Sequence, residues 1–226
     1  MRFFYFGILF SILCSCSNED SNSLHPYSEY FYSYDTEPKV YRYRDIVHGL
    51  DEQFHRVYGV EDSEGKHIVV ERYVQDGRLT EAFNFNLDSL NVLDHMVVNA
   101  LGENEKATLY NDQLLPKAKG EAAQFTSKFS GVTDSTVFLM DVNRQLTDTK
   151  MRKVLSDSSE CITLEENAIY TLLNPFTKQE SQQTLELVTY FAKGFGLVEW
   201  YDTKQRSHFQ LEEILSQEKW IKLISE

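Results

Sequence analysis

The stretch Gln75-Asp76-Gly77-Arg78-Leu79-Thr80-Glu81-Ala82-Phe83-Asn84-Phe85-Asn86-Leu87 decides the fold. Asp76-Gly77 is a hairpin signal: the tight turns that match strand twist need positive φ, and glycine adopts it with no Cβ to clash. The residues after the turn alternate at period two, with Phe83, Phe85 and Leu87 on one face and Asn84 and Asn86 on the other. Successive side chains of a strand point to opposite faces, so this pattern predicts a strand with one buried and one wet side. The preceding run, Lys66 to Val74, is rich in β-branched and aromatic residues and supplies its partner.

The same grammar extends both ways. Upstream, Pro38 opens a strand over Lys39 to Val47, Gln53 to Val60 alternates weakly, and Asp62-Ser63-Glu64-Gly65 is a turn. Downstream, strands are predicted over Lys106 to Leu115, Glu121 to Ser130, Ser135 to Leu146, Cys161 to Leu164, Ala168 to Leu173, Thr184 to Lys193, Gly196 to Asp202 and His208 to Leu215. Turn residues divide them at Pro116, Gly120, Gly131, Asp157-Ser158-Ser159 and Asn174-Pro175. Two segments read both ways. In Asp88 to Gly102, Leu90, Leu93, Val97 and Leu101 sit at helical spacing between a capping Asp88 and a terminating Gly102, whereas Val92, Val97 and Val98 prefer strand; the balance leans to helix. In His208 to Leu215, Ser207 with Gln210 fits a helix capping box. The fold class expected is mainly β, with one or two short helices.

Composition agrees with a packed chain. Of 226 residues, 42% are hydrophobic and 13% aromatic, enough for a substantial core. The formal net charge of −13 argues against nucleic acid, which selects basic surfaces, and against attraction to anionic headgroups.

Met1-Arg2 is followed by an unbroken apolar run from Phe3 to Leu13 and then Cys14-Ser15-Cys16. The run is far shorter than the roughly 20 residues a membrane-spanning helix needs, and it matches the middle of a secretory signal peptide. Leu13-Cys14-Ser15-Cys16 resembles a bacterial lipobox. Small Ser15 precedes Cys16, whereas bulky Leu13 precedes Cys14, so the resemblance assigns lipidation to Cys16. It implies attachment to a membrane through acyl chains on Cys16, and two or more chains hold stably where one does not. Ser17-Asn18-Glu19-Asp20 resembles the acidic surface-export signal of Bacteroidetes lipoproteins, and equally fits a solvated tether. The chain then divides into 1–15, a signal peptide; 16–37, the lipidated cysteine, a polar tether and an aromatic-rich lead-in; and 38–226, a single β-rich domain. The lead-in, with Tyr27, Tyr30, Phe31, Tyr32 and Tyr34, is expected to pack on the domain as a first strand or a belt.

Thr189-Tyr190-Phe191-Ala192-Lys193-Gly194-Phe195-Gly196-Leu197-Val198-Glu199-Trp200 resembles a segment of bacterial envelope proteins with the curved half-barrel of the lipoprotein-carrier type. That resemblance covers about the last forty residues and implies that the strands form a curved antiparallel sheet or incomplete β-barrel, with an apolar concave side suited to a lipid or other apolar ligand. The physics of the motif is simpler: Gly194 and Gly196 permit a bulge or sharp bend. Tyr58-Gly59-Val60-Glu61 echoes Phe195-Gly196-Leu197-Val198-Glu199, as a shared hairpin type would.

Reactive constellations are sparse. No His-Glu-x-x-His, P-loop or Gly-x-Ser-x-Gly is present. His48 and His55, near Asp45, Asp51 and Glu52, read as exposed or hydrogen-bonded histidines rather than metal ligands. Glu165-Glu166 and Glu212-Glu213 are sequence neighbours that a strand turns to opposite faces, and they read as solvated. Cys161, without nearby cationic residues in sequence, reads as a buried inert thiol. No catalytic residue, metal site or cofactor is assigned. The sequence points to a lipid-anchored, outer-membrane-associated binding protein of the cell envelope, with leaflet undecided and an apolar ligand or envelope protein as partner. The alternatives are an accessory structural subunit without ligand and an envelope hydrolase.

Overall fold

Period-two alternation becomes strand along most of the chain in the computed structural model, which describes residues 24–49, 51–63, 65–99, 101–131 and 136–225. The strands are β1 (Lys39–Asp45), β2 (Glu52–Asp62), β3 (Gly65–Val74), β4 (Leu79–Asn86), β5 (Val92–Val98), β6 (Asn104–Lys106), β7 (Thr108–Asp112), β8 (Ala122–Ser130), β9 (Val137–Val154), β10 (Asp157–Asn174), β11 (Gln179–Ala192), β12 (Gly196–Asp202) and β13 (His208–Ser216). They form one antiparallel sheet in the order β6-β5-β4-β3-β2-β1-β13-β12-β11-β10-β9-β8-β7. A helix α1 (Gln217–Ile224) and a 3-10 turn (Ser28–Tyr30) complete the described secondary structure.

The two edge strands, β6 and β7, are separated in sequence by Ala107 alone, so the sheet must curl until its edges approach. Ala107 N donates to His95 O at 2.8 Å, and a single bridge joins Asn91 to Gln113. Among the described residues no continuous ladder closes the seam between these two points. The sheet is therefore a curved, unclosed barrel, as expected.

The hairpin that opened the reading is in place. Gly77 takes φ +77, β3 pairs β4 with Val70 opposite Phe83, and Phe83 and Phe85 are buried on the inner face. The inner face holds one core cluster that also includes Ile68, Val70, Phe125 and Ile162. The lead-in packs inside this face as a belt rather than a strand. Tyr30, Phe31 and Tyr32 are buried, and Phe31 meets Phe85 edge-on at 5.0 Å. Backbone bonds pin it to two turns and to β2 at one end of the barrel: His25 N to Asp88 O, Gly194 N to Glu29 O and Gly59 N to Asp35 O. Gly59 and Gly196, the two echoing glycines, both lie beneath its rings. A Cβ on Gly59 would meet Tyr34 at 2.7 Å, and one on Gly196, whose φ is +81, would collide with Tyr32.

Three sequence expectations are corrected, and the open reading of His208 to Leu215 resolves to strand. The segment Asp88 to Gly102 is not a helix: Leu90 makes a turn at φ 56, and β5 pairs with β4 and β6. The helical spacing there is coincidental, because Leu90 is buried while Leu101 stands in solvent; the β-branched valines decide. His208 to Leu215 is strand, and the helix comes one step later, with Ser216 Oγ accepting from Lys219 N. Trp220 on α1 packs outside the barrel against Tyr73 and Phe54. Residues 157–174 form one long strand, unbroken between Leu164 and Ala168 because Glu166 is matched by Arg144 directly opposite on β9; the turn expected at Asp157-Ser158-Ser159 falls two residues earlier, at Leu155-Ser156. Gly194 and Gly196 flank the turn between β11 and β12, and the bulge lies beside them at Tyr190/Phe191.

Candidate functional site

The barrel interior is packed at the lead-in end and hollow beyond it. A cavity of about 300 Å³ lies between the inner faces, with walls that include Phe85, Val92, Phe125, Met140, Leu187 and Trp200. This is at the lower end of the roughly 300–1,000 Å³ typical of small-molecule pockets. Charged residues also line it, each in the inward phase of an apolar strand: Arg72 in step with Ile68 and Val70, and Arg144 with Met140 and Val142.

Arg144 and Glu166 form an ion pair whose carboxylate is saturated. Arg144 Nε donates to Glu166 Oε2 at 2.9 Å and Thr189 Oγ1 donates to Oε1 at 2.6 Å, so both carboxylate oxygens are engaged. Glu166 is thus buried rather than solvated as the sequence suggested, while its neighbour Glu165 faces solvent. Opposite strand phase was read correctly there; the partner across the sheet was not visible.

Arg72 sits differently. Its Nη1 donates to Glu81 Oε1 at 2.7 Å, and Glu81 Oε2 faces His95 Nε2 at 3.2 Å. His95 Nδ1 in turn meets Ser127 Oγ at 2.7 Å, and Phe83 stacks on the imidazole at 4.2 Å. Burial opposes ionisation of Glu81, but Arg72 beside it and the His95 hydrogen bond outweigh that and hold the carboxyl at about 2. Glu81 is therefore a fixed anion that orients Arg72. Over the whole Arg72 side chain 38% of the surface is accessible, but Nε is buried and has no acceptor.

His55 stands directly opposite Arg72 across β2 and β3. It is 2% exposed, lines the cavity, and its Nε2 has no partner. Its Nδ1 lies 3.4 Å from Tyr32 Oη, which is 3.2 Å from Tyr43 Oη; Tyr43 donates to Leu197 O at 2.7 Å. Burial first and the Arg72 charge second push the His55 pKa well below its ordinary value, so the ring is neutral. Two cross-strand neighbours thus each carry a buried polar atom without a partner, where each missing bond costs about 1–3 kcal/mol.

Ser127, His95 and Glu81 have the residue types of a hydrolytic triad, yet Ser127 and His95 are completely buried and absent from the cavity wall. A substrate carbonyl reaches Ser127 Oγ only by opening the aromatic core. The arrangement reads as an orienting chain for Arg72.

The other residues singled out in sequence fall elsewhere. Cys16 lies outside the described residues. Cys161 is buried, and burial raises its thiol pKa, which suits an inert core position. His48 Nδ1 bonds Asp45 Oδ2 at 2.8 Å in the turn after β1, so it and His55 do not converge. Glu212 and Glu213 pair with Arg42 and Arg44 on the outer face. Sequence reasoning missed Arg72, Glu81, His95 and Arg144. The signal was present: each is a polar residue at a position whose strand phase calls for an apolar one.

No family model and no curated protein matches the chain. It is similar to two solved structures. One is a candidate lipoprotein from Parabacteroides distasonis, with a TM-score of 0.49 and 14% identity over 82% of this chain and 98% of that one. The other is a candidate exported protein with a YmcC-like fold from Bacteroides fragilis, with a TM-score of 0.48 and 13% identity over 82% of this chain and 99% of that one.

Proposed function

We propose that the chain is a lipid-anchored, outer-membrane-associated binding protein of a bacterial cell envelope, held through acyl chains on Cys16 with residues 17–23 as tether. The barrel, residues 38–226, holds an apolar ligand in its interior. The observation that carries the binding role is the cavity of about 300 Å³, lined by apolar side chains together with a few buried polar ones, on an otherwise filled inner face. Protein interiors are packed to crystal-like density, and a void of this size is a standing loss of contacts unless something fills it. The anchor rests on Leu13-Cys14-Ser15-Cys16.

Material extracted from the native host tests both parts. Intact mass is expected to show a chain beginning at Cys16 with fatty acyl groups, and native mass spectrometry a co-purifying apolar molecule. A mature form without acyl groups removes the anchor; a barrel that neither carries nor takes up an apolar molecule removes the binding role.

One observation favours the accessory-subunit reading. Phe176 and Leu101, 80% and 77% exposed, stand with Ile46 on turns at the end of the barrel away from the lead-in. A partner covering that end would protect these turns from protease in the native envelope and leave the cavity empty.

A further inference from the structure

Taking the cavity to be a ligand site, we infer that its ligand is an apolar chain ending in an acceptor-only, anionic oxygen head group, a carboxylate or phosphate, seated against Arg72 and His55. Arg72 has only donors, and Glu81 takes one of its five N–H groups. Arg72 Nε points at no acceptor among the described residues. His55 is neutral and its Nε2 is a second buried polar atom without a partner; its donor or acceptor role follows the ring tautomer, so the polarity of the head group is set by Arg72, which has only donors. The two residues are direct cross-strand neighbours, so a head group on Arg72 also comes beside His55. A carboxylate or phosphate presents several lone pairs to the guanidinium, and bonds to charged groups are the strong ones. An ammonium or amide N–H would instead meet donors.

The rest of the site supports this polarity. The charges of Arg72 and Arg144 are offset by Glu81 and Glu166, so the cavity is formally neutral before the ligand enters. Arg144 gives its Nε to a carboxylate that is fully engaged and its Nη1 to Leu114 O, whereas the buried Nε of Arg72 has no acceptor. Apolar walls for the chain are supplied by Phe85, Val92, Leu114, Phe125, Met140 and Leu187.

The test uses the full-length chain and medium-chain probes brominated along the tail, which quench tryptophan on contact. Trp200 lines the cavity and Trp220 lies outside the barrel, so Trp220→Phe leaves one reporter. Matched probes carry a carboxylate, a phosphate, an alcohol or an ammonium head. The expected result is quenching of Trp200 by a carboxylate or phosphate probe at least about tenfold tighter than by the alcohol, with the ammonium weakest. Whichever anion binds tighter separates a fatty acid from a phosphorylated lipid. Arg72→Met and Arg72→Lys are expected to erase that preference while leaving alcohol binding in place, because lysine keeps the charge but lacks the guanidinium fork. Comparison of head groups on unsubstituted Arg72 stands even where these variants misfold. Equal quenching by anion and alcohol overturns the head-group assignment and leaves a binding cavity. No quenching by any probe overturns the binding role itself.

Discussion

The two ends of the barrel interior are built by the same strands in the same period-two phase, yet one is solid and the other hollow. At the lead-in end, Tyr30, Phe31 and Tyr32 fill the space between Phe85, Tyr41 and Tyr43, and two glycines yield the room their rings occupy. At the other end the inner positions carry Arg72, His55, Arg144 and Glu166, and about 300 Å³ is left between them. The contrast teaches that the sheet sets only the outline of the interior. What occupies it is decided by a segment that contributes no strand, and by which inward positions the sequence makes polar. The solid end secures the fold, and the hollow end carries the groups without partners.

The largest expected effect lies at the solid end. Phe31→Ala removes a ring in edge contact with both Phe85 and Tyr32, and buried Phe→Ala changes cost about 3–5 kcal/mol. Urea denaturation measures it. A loss below about 1 kcal/mol would mean that the lead-in is an ornament on an independently stable barrel.

The two ends also titrate from opposite sides. Glu81, at the hollow end, ionises at about 2 against an ordinary 4.5. Its stabilisation is complete above the unfolded value and is lost as pH falls from about 4.5 toward 2, on the order of 3 kcal/mol in all. His55 adds with the same sign, since the unfolded chain takes up a proton below about 6.5 that the buried ring refuses. At the solid end, burial pushes the Tyr32 hydroxyl up to about 12 against an ordinary 10, and Tyr43 is raised as well. A neutral group with a raised value stabilises below the unfolded pKa, and that stabilisation fades as pH climbs from about 10 to 12. Stability measured across pH is therefore expected to be acid-labile through the hollow end and alkali-labile through the solid end. Glu81→Gln should flatten the acid limb alone and Tyr32→Phe the alkaline limb alone; if both variants change the same limb, the two ends are not independent.

Gly59→Ala sharpens the comparison at a smaller scale. The new Cβ would stand 2.7 Å from Tyr34, so the ring must move, at a cost of about 1–3 kcal/mol. Thermal denaturation reads it. An unchanged Tm would show that the lead-in rests loosely on β2.

How much of this was legible beforehand follows from what alternation can carry. The hairpin at Gly77 and the inward Phe83 and Phe85 followed from local pattern, because side-chain direction in a strand is fixed by position alone, whereas the open barrel was implied by the resemblance of the segment Thr189 to Trp200. The segment Asp88 to Gly102 was misread because its apolar spacing fits both periods; pairing with β4 and β6 decided it, and pairing is not local. The continuity of β10 was hidden because Glu166 is acceptable inside only with Arg144 opposite, twenty-two residues earlier in the chain. The site was least visible. Arg72, Glu81 and His95 are ordinary charged or polar letters in three different strands, and only the register of β3, β4 and β5 brings them together.

The smallest change in stability carries the sharpest distinction between the ends. Ala168 is buried in the cavity wall and in phase with Leu164 and Glu166 on β10. Enlarging it to leucine at the solid end's packing density would force neighbours apart, whereas here the added atoms enter free space and gain contacts. Ala168→Leu is therefore expected to shift unfolding free energy by no more than about 1 kcal/mol in either direction. The same substitution removes part of the volume a ligand needs, so quenching of Trp200 by a brominated probe should fall sharply while the fold persists. A large loss of stability would mean that the hollow is already closed by side-chain motion in solution, and undiminished quenching would place the probe elsewhere on the barrel. Intact stability with lost uptake is the signature of a space kept open at the cost of packing, and it is the outcome that a barrel built only for stability would not give.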